Sequence, residues 1–336
     1  DGTLISVTIN SSSSEGPTDD FRIKPDITGN GTGLYSTYQN SDTAYNSITG
    51  TSMASPNVTG SLLLLQQHYN NTNGAFAKAA TIKGLALHTA DDIGPTGPDA
   101  VHGWGLLNTK KAAEVISGNG TSSIVNELSL ANGGSYQIQV DGNGGPLLAS
   151  ISWTDLPGTA TTATNSSTAR LVNDLDIRVT KNATTSTPWR LTGVTTNGKG
   201  DNTVDPYERV DIANATGTYT VTVTHKGSLS GGNQAFTLIV TGSGTATPPP
   251  PLTCDTTISN FPYDEGFENT LGAWSQGSGD DFDWTLRTGG TPSTGTGPAA
   301  AFEGTHYVYV EASDPNFGGK TTILNSPCFN LAGVTT

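Results

Sequence analysis

The run Ile48-Thr49-Gly50-Thr51-Ser52-Met53-Ala54-Ser55-Pro56-Asn57-Val58-Thr59-Gly60, followed at once by Leu62 to Leu65, constrains this chain more than any other stretch. It predicts a tight turn feeding a buried helix. Gly50 lets the backbone bend sharply and be approached closely. Thr51 and Ser52 are residue types that cap helix N-termini. Pro56 is tolerated only near the first turn, where few N–H groups have partners inside the helix. Consecutive leucines leave no polar face, so the helix is expected to be buried rather than amphipathic.

A serine at such a helix start projects its hydroxyl at the mouth of a site. Its own N–H, with the helix dipole behind it, can face a developing oxyanion. A lone serine there is more often a plain cap. The longer string Gly50-Thr51-Ser52-Met53-Ala54-Ser55-Pro56, with Val58 and Gly60 after it, resembles the nucleophile motif of the subtilisin-like serine proteases. The resemblance implies that Ser52 is the catalytic nucleophile.

Other segments carry the same resemblance. Gly16-Pro17-Thr18-Asp19-Asp20-Phe21-Arg22-Ile23-Lys24-Pro25-Asp26 is similar to a Gly-Pro-Thr-x-Asp-Gly-Arg-Ile-Lys-Pro-Asp string that precedes the nucleophile in subtilases. Phe21 stands where the family favours Gly, and Gly29-Asn30-Gly31 replaces the usual Ala-Pro-Gly. Leu4 to Ile9 reads as a short strand, and Ala75 to Ala90 as a second helix. Gly103-Trp104-Gly105-Leu106-Leu107-Asn108 suggests backbone packed closely around a large ring. Asn108 can cap a last helix, Thr109 to Ile116. This run is similar to the close of the subtilase catalytic domain.

From Ser122 the apolar period changes to two. Tyr136, Ile138 and Val140 alternate with polar residues, as do Leu175, Ile177 and Val179, then Tyr219, Val221 and Val223, then Phe236, Leu238 and Val240. Short strands separated by Gly/Asn/Thr loops predict an antiparallel β-sandwich. Ser152-Trp153-Thr154-Asp155 and Leu171-Val172-Asn173-Asp174-Leu175-Asp176 resemble the jelly-roll domain of one subtilase group. The prolines 248–251 predict a stiff linker. Beyond it, Phe267-Glu268, Trp274, Asp280-Asp281-Phe282-Asp283-Trp284, Tyr307-Val308-Tyr309-Val310 and Ser326-Pro327-Cys328 together resemble a MAM domain, an extracellular adhesion and recognition module, ending before that family's later strands. Missing strands would leave edges and core exposed and this part unstable.

The expected fold class is therefore multidomain. Residues 1–117 read as the C-terminal part of an α/β subtilisin-like catalytic domain, and 118–243 as an antiparallel jelly-roll β-sandwich. Residues 244–253 read as a Pro-rich linker and 254–336 as a truncated all-β MAM-like sandwich. The only methionine is Met53, so the chain reads as an internal piece of a longer protein.

Composition narrows the partners. The net charge of −14 argues against nucleic acid and anionic membrane surfaces. No run approaches the length of a transmembrane helix, and no signal peptide is visible. The resemblance implies a secreted or cell-surface protein with a protein or peptide substrate, and a protein or glycan ligand for the MAM-like part. Cys254 and Cys328 bracket the last segment, and a disulfide would fit an oxidising compartment.

A serine hydroxyl needs a base. In subtilases the chain order is Asp, His, Ser, yet His68, His88, His102, His225 and His306 all follow Ser52 and read as surface or packing residues. Asp1, Asp19, Asp20, Asp26 and Asp42 precede Ser52 without an Asp-x-Gly motif, and Asp26 reads as a structural acceptor. The resemblance thus implies a serine endopeptidase working through an acyl-enzyme on Ser52, with His and Asp upstream and this piece itself inactive. The alternative is an adhesion protein with a protease-like scaffold; a weaker third is carbohydrate binding by the acidic sandwiches. The chemistry requires no cofactor. Asp174, Asp176, Asp201 and Asp205 could offer oxygens to structural calcium, as related jelly-roll domains do, and Asp280, Asp281 and Asp283 carry the same ambiguity, but a solvated acidic face is the simpler reading.

Overall fold

In a computed structural model, the described residues are 7–247, 257–277, 281–293, 297–311 and 322–330. The chain divides into two compact units, Asp1–Pro249 and Pro250–Thr336.

From residue 7 an irregular strap runs to residue 33. Of the expected strand Leu4 to Ile9, residues 4–6 lie outside the described residues and 7–9 carry no strand. A hairpin follows, β1 (Leu34–Thr37) against β2 (Tyr45–Ile48). Then come α1 (Thr51–Asn73), α2 (Ala79–His88) and α3 (Thr109–Ser117). α1 stops at Gly74, whose φ of 74° is the left-handed form that ends helices. α2 is shorter than the sequence suggests. The Gln66 amide grips residue 77 from both sides, its Nε2 donating to Ala77 O at 2.8 Å and its Oε1 accepting from Ala77 N at 3.0 Å. That clamp takes the backbone groups a helix would need. Asn108 caps α3 as expected, accepting from Lys111 N.

Eleven strands follow among the described residues of unit 1: β3 (Ser123–Ala131), β4 (Tyr136–Asn143), β5 (Leu147–Trp153), β6 (Leu175–Lys181), β7 (Thr184–Ser186), β8 (Trp189–Leu191), β9 (Asn197–Lys199), β10 (Tyr207–Ile212), β11 (Thr216–His225), and the pair β12 (Asn233–Thr241) and β13 (Ser243–Thr247), the last extending the chain along an edge. They form an antiparallel four-stranded sheet, β10-β5-β12-β3, and an antiparallel five-stranded sheet, β13-β4-β11-β6-β7. Residues of both sheets share one core, with Ile151, Trp153, Phe236, Leu238 and Val240 from the first and Ile138, Ile177, Val179, Val221 and Val223 from the second. The alternation read from the sequence thus marks the inward faces.

The four-stranded sheet is covered on its other face as well. Ile239 and Val125 join Leu65, Ile82, Leu85 and Ile116 of the helices in a second cluster. A methyl group at Gly84 of α2 would come within 3.0 Å of Ser152 and 3.1 Å of Ile239, so the helix lies close on the strands. This double burial explains why β5, Leu-Leu-Ala-Ser-Ile-Ser-Trp, has no charged residue. A third cluster, Ile23, Leu87, Trp104, Leu191 and Tyr207, joins strap, helix and sheet.

Two expectations are corrected. α1 is not buried: only Leu65 and Tyr69 are, while Leu63 is 69% and Leu64 63% exposed. Four leucines in a row encircle the helix, and the described chain covers one side of it. Residues 244–247, expected to open the linker, lie instead in β13, which pairs with β4 with a register shift between Ser243 and Ala246. Nothing in Ser-Gly-Thr-Ala-Thr blocks a ladder; the prolines that would begin at 248.

In the second unit the strands are short: β14 (Thr257–Ile258) beside β19 (Cys328–Phe329) in parallel, β15 (Ser275–Gln276) against β18 (Leu324–Asn325), and β16 (Thr285–Thr288) against β17 (His306–Tyr309). Cys328 is disulfide-bonded, while Cys254 lies outside the described residues.

Candidate active site

Ser52 is the second residue of α1 and is exposed. Its hydroxyl has no hydrogen-bond partner among the described residues, and the cap is Gly50 rather than a side chain. Gly50 O accepts from Met53 N at 3.0 Å and Ala54 N at 3.2 Å. The Ser52 N–H, one turn too early for a helical acceptor, is left pointing out of the helix start. Thr51 and Ser52 are therefore not caps. They are the first two residues inside the helix.

The crowding at this turn lies on the other side of the backbone. Gly50 itself is extended, with φ 162°, and has room for a side chain. A methyl group at Gly31 would sit 2.7 Å from Gly50 O and 2.9 Å from Ala54 Cβ; one at Gly29 would sit 2.5 Å from Val58 Cγ2. Gly50 N donates to Gly31 O at 2.9 Å. Gly29-Asn30-Gly31, which departs from the family string, is thus the backing of the first turns of α1. Pro56 is a full turn inside α1 rather than at its start. Its missing N–H leaves the Ser52 carbonyl without the usual partner four residues on.

None of the five histidines hydrogen-bonds to Ser52. His68 Nε2 meets Ser117 Oγ at 2.8 Å, and His225 Nε2 accepts from Gly133 N at 2.7 Å. His102 Nδ1 lies 3.2 Å from Asp99 Oδ2. His306 lies beside Glu268 and Thr305 in the second unit. His88 is buried between Ser150 Oγ at 2.8 Å and Thr241 Oγ1 at 2.9 Å, and burial, with Arg209 adding to it, pushes the imidazole down to about 3. A cavity of about 340 Å³ lined by His88, Lys111, Glu114, Ser123 and Thr241 does not include Ser52. Asp26 pairs with Lys24, and its carbonyl accepts from Trp104 N at 3.0 Å. Asp1 lies outside the described residues.

The acidic residues considered for calcium separate. Asp174, Asp176 and Asp201 converge on Lys226, at 3.7, 2.6 and 3.7 Å, and Arg178 also pairs with Asp176 and Asp201. Burial pushes the Asp174 carboxyl up to about 6 against the pull of Lys226. Asp205 is elsewhere, buried, holding Ile23 N and Asn202 Nδ2. Among the described residues no group of three or more His, Cys, Asp or Glu side chains is arranged to hold a metal. Asp280 lies outside them.

Residues 5–105 match the family model described as the Subtilase family. This stretch is subtilase-like. The subtilase-like segment holds Ser52, the strap and the Gly103-Trp104-Gly105 loop. Over 187 residues the chain is 33% identical to the PI-type proteinase of Lactococcus lactis subsp. cremoris, covering 51% of this chain and 9% of that protein. It is 37% identical over 78 residues to serotype-specific antigen 1 of Mannheimia haemolytica, covering 23% of this chain and 7% of the antigen. It is 35% identical over 117 residues to the Neisserial autotransporter lipoprotein NalP of Neisseria meningitidis serogroup B, covering 29% and 10%. The chain therefore spans a tenth or less of the length of these relatives. Among the described residues no helix is long and apolar enough to cross a membrane.

Sequence reasoning missed the Gly29/Gly31 backing and the hold of Asp205, considered there only for calcium, on the strap at Ile23. The glycines carried a signal, since two of them flank one residue next to a helix-start motif. Asp205 carried none: its partner Ile23 is 182 positions away.

Proposed function

We propose that this chain is part of a subtilisin-like serine endopeptidase in which Ser52 attacks the peptide carbonyl. One observation carries the reading: an exposed, unengaged hydroxyl and its own free N–H at the start of a 23-residue helix. The hydroxyl is placed to form the acyl-enzyme. The N–H, at the positive end of the helix dipole, is placed to stabilise the oxyanion. The base and its orienting carboxylate come from chain outside these residues, because the five histidines here are engaged elsewhere. The 336-residue piece therefore binds no substrate productively and turns nothing over.

The paired sheets of unit 1 are read as a jelly-roll sandwich and the second unit as MAM-like. The segment's likeness to a proteinase, a serotype-specific antigen and an autotransporter supports an extracellular or surface setting. A fluorophosphonate probe tests the assignment. The piece alone is expected to stay unlabelled, and a longer reading frame carrying upstream Asp and His motifs is expected to be labelled, with the label lost in Ser52→Ala. Labelling of the longer protein that survives Ser52→Ala would overturn the assignment and favour the scaffold reading.

A further inference from the structure

Asp205 lies in the loop before β10, beyond the subtilase-like segment, yet both its oxygens accept from a backbone N–H of the strap, Ile23 N, at 3.1 and 3.3 Å. Both residues are buried, and Ile23 belongs to the cluster with Trp104 and Tyr207. From Ile23 the strap passes the Gly103-Trp104-Gly105 loop and reaches the turn that precedes Ser52. Asp26 O accepts from Trp104 N, Thr28 N donates to Gly105 O, and Leu107 N donates to Thr28 O. Three residues later Gly31 O takes the Gly50 N–H, and the Gly31 Cα lies against Ala54. Residues 23–31 of the strap are thus held at one end by Asp205, in the middle by backbone hydrogen bonds to Trp104, Gly105 and Leu107, and at the other end by Gly50.

We propose that Asp205 is a positioning residue for the Ser52 turn, fastening the strap at Ile23 so that Gly29 and Gly31 hold the first turns of α1 in place. This rests on the reading of Ser52 as nucleophile only for its functional meaning; the mechanical coupling stands on the strap itself. The strap has two states, fastened and released, and the carboxyl group of Asp205 biases it toward the first.

The charge on Asp205 distinguishes those states. The groups that face it are Lys83 of α2, Lys24 of the strap and Asn202 of its own loop. Burial pushes its carboxyl up to about 6, against hydrogen bonds from Asn202 and Ile23 and the charges of Lys83 and Lys24. Released into water, the carboxyl returns to the ordinary range near 4. The fastened state therefore takes up a proton more readily than the released one. By linkage, fastening strengthens as pH falls through 6 toward 4, and weakens as pH rises through 6.

Amide hydrogen exchange on the whole 336-residue chain tests this, read as protection factors so that intrinsic base catalysis is removed. In the wild type, protection at Gly50, Met53 and Ala54 is expected to fall several-fold between pH 5 and pH 7.5, while amides of β3 and β12 do not change. Asp205→Asn mimics the neutral acid and keeps an acceptor for Ile23 N, so it should hold the low-pH protection at both pH values. Asp205→Ala removes the acceptor and should lose about tenfold protection at Gly50 at pH 5. If only the Ile23 amide responds, or if all three amides keep the same pH dependence in Asp205→Asn, the coupling is wrong. Should Asp205→Ala fail to fold, the Asn variant and the wild-type pH series still decide it. A negative exchange result leaves Ser52 labelling in the longer chain untouched, and absence of Ser52 labelling there leaves the exchange result readable.

Discussion

Trp104 stands edge-on to Tyr207, ring centroids 4.9 Å apart and planes at 80°. Trp104 closes the subtilase-like segment and Tyr207 opens β10 of the four-stranded sheet, so one aromatic pair ties the two regions. Arg209 lies over the same indole, 4.8 Å from its centroid, and donates to Leu87 O at 3.2 Å. Gly103 and Gly105, both at positive φ, let the loop bring the ring in; a methyl group on either would run into Pro25 O, Asp26 O or Asp91 O. Trp104→Ala is expected to cost about 3–5 kcal/mol, as other buried tryptophan truncations do. A urea titration of unit 1 followed by far-UV circular dichroism measures it; a loss below about 1 kcal/mol would mean that the two regions do not depend on this contact.

Phe21 carries a φ of 64°, a left-handed backbone that costs a bulky side chain roughly 1–2 kcal/mol. The residue is 38% exposed, so only part of its side chain's burial stands against the strain. Phe21→Gly is expected to raise stability by about 0.5–1 kcal/mol, since glycine's own freedom in the unfolded chain takes back part of the gain. The urea midpoint of the variant against the parent reads it, and a lowered midpoint would contradict the strain argument.

Gly31→Ala should act in the opposite direction. The added methyl meets Gly50 O and the Ala54 side chain at 2.7 and 2.9 Å, and neither is the free end of a flexible chain. A loss of about 1–3 kcal/mol, typical of overpacking, is expected together with faster exchange at Gly50. Gly60→Ala is the control, since nothing lies within 4 Å of a methyl group there; it should be neutral or stabilising in a helix.

His88 makes stability fall in acid. Its folded-state value of about 3 lies below the ordinary imidazole value, so the folded protein stays unprotonated while the unfolded chain takes a proton below about 6.5. The contribution is full above that point and is lost as pH falls toward 3, at up to about 1.4 kcal/mol per pH unit. Asp174 and Asp205, both raised to about 6, work against it: they favour the folded state as pH falls from 6 toward 4. Comparing His88→Gln with the parent isolates the imidazole. The stability difference between the two should shrink or reverse from pH 7 to pH 4, and parallel pH curves would exclude the histidine as the cause.

The parts of this chain that local chemistry determines were readable in advance. Asn108 announced a cap because its side chain bonds three residues on. Phe236, Leu238 and Val240 announced an inward face because a strand alternates. Leu62 to Leu65 misled because a periodic pattern says how much apolar surface a helix carries, not which surface meets it. Thr237 and Ile239 looked outward by alternation but face the helices, where Thr237 meets Thr81 at 2.8 Å. At the candidate site, the helix start at Thr51 and Ser52 was legible because one motif contains both the bend and the helix. The backing by Gly29 and Gly31 and the hold by Asp205 were not, because they depend on what the chain meets after it has folded back.

The pairing of β13 with β4 decides where the first unit can be cut. Ending an expressed piece at Ser243, where the alternation stops, would remove a strand from the rim of the five-stranded sheet and bare the ladder of β4 to any passing chain. A piece carried through Thr247 keeps that rim covered and ends just ahead of the prolines. For crystallisation or display on another scaffold, those few extra residues are expected to keep this edge from pairing between copies.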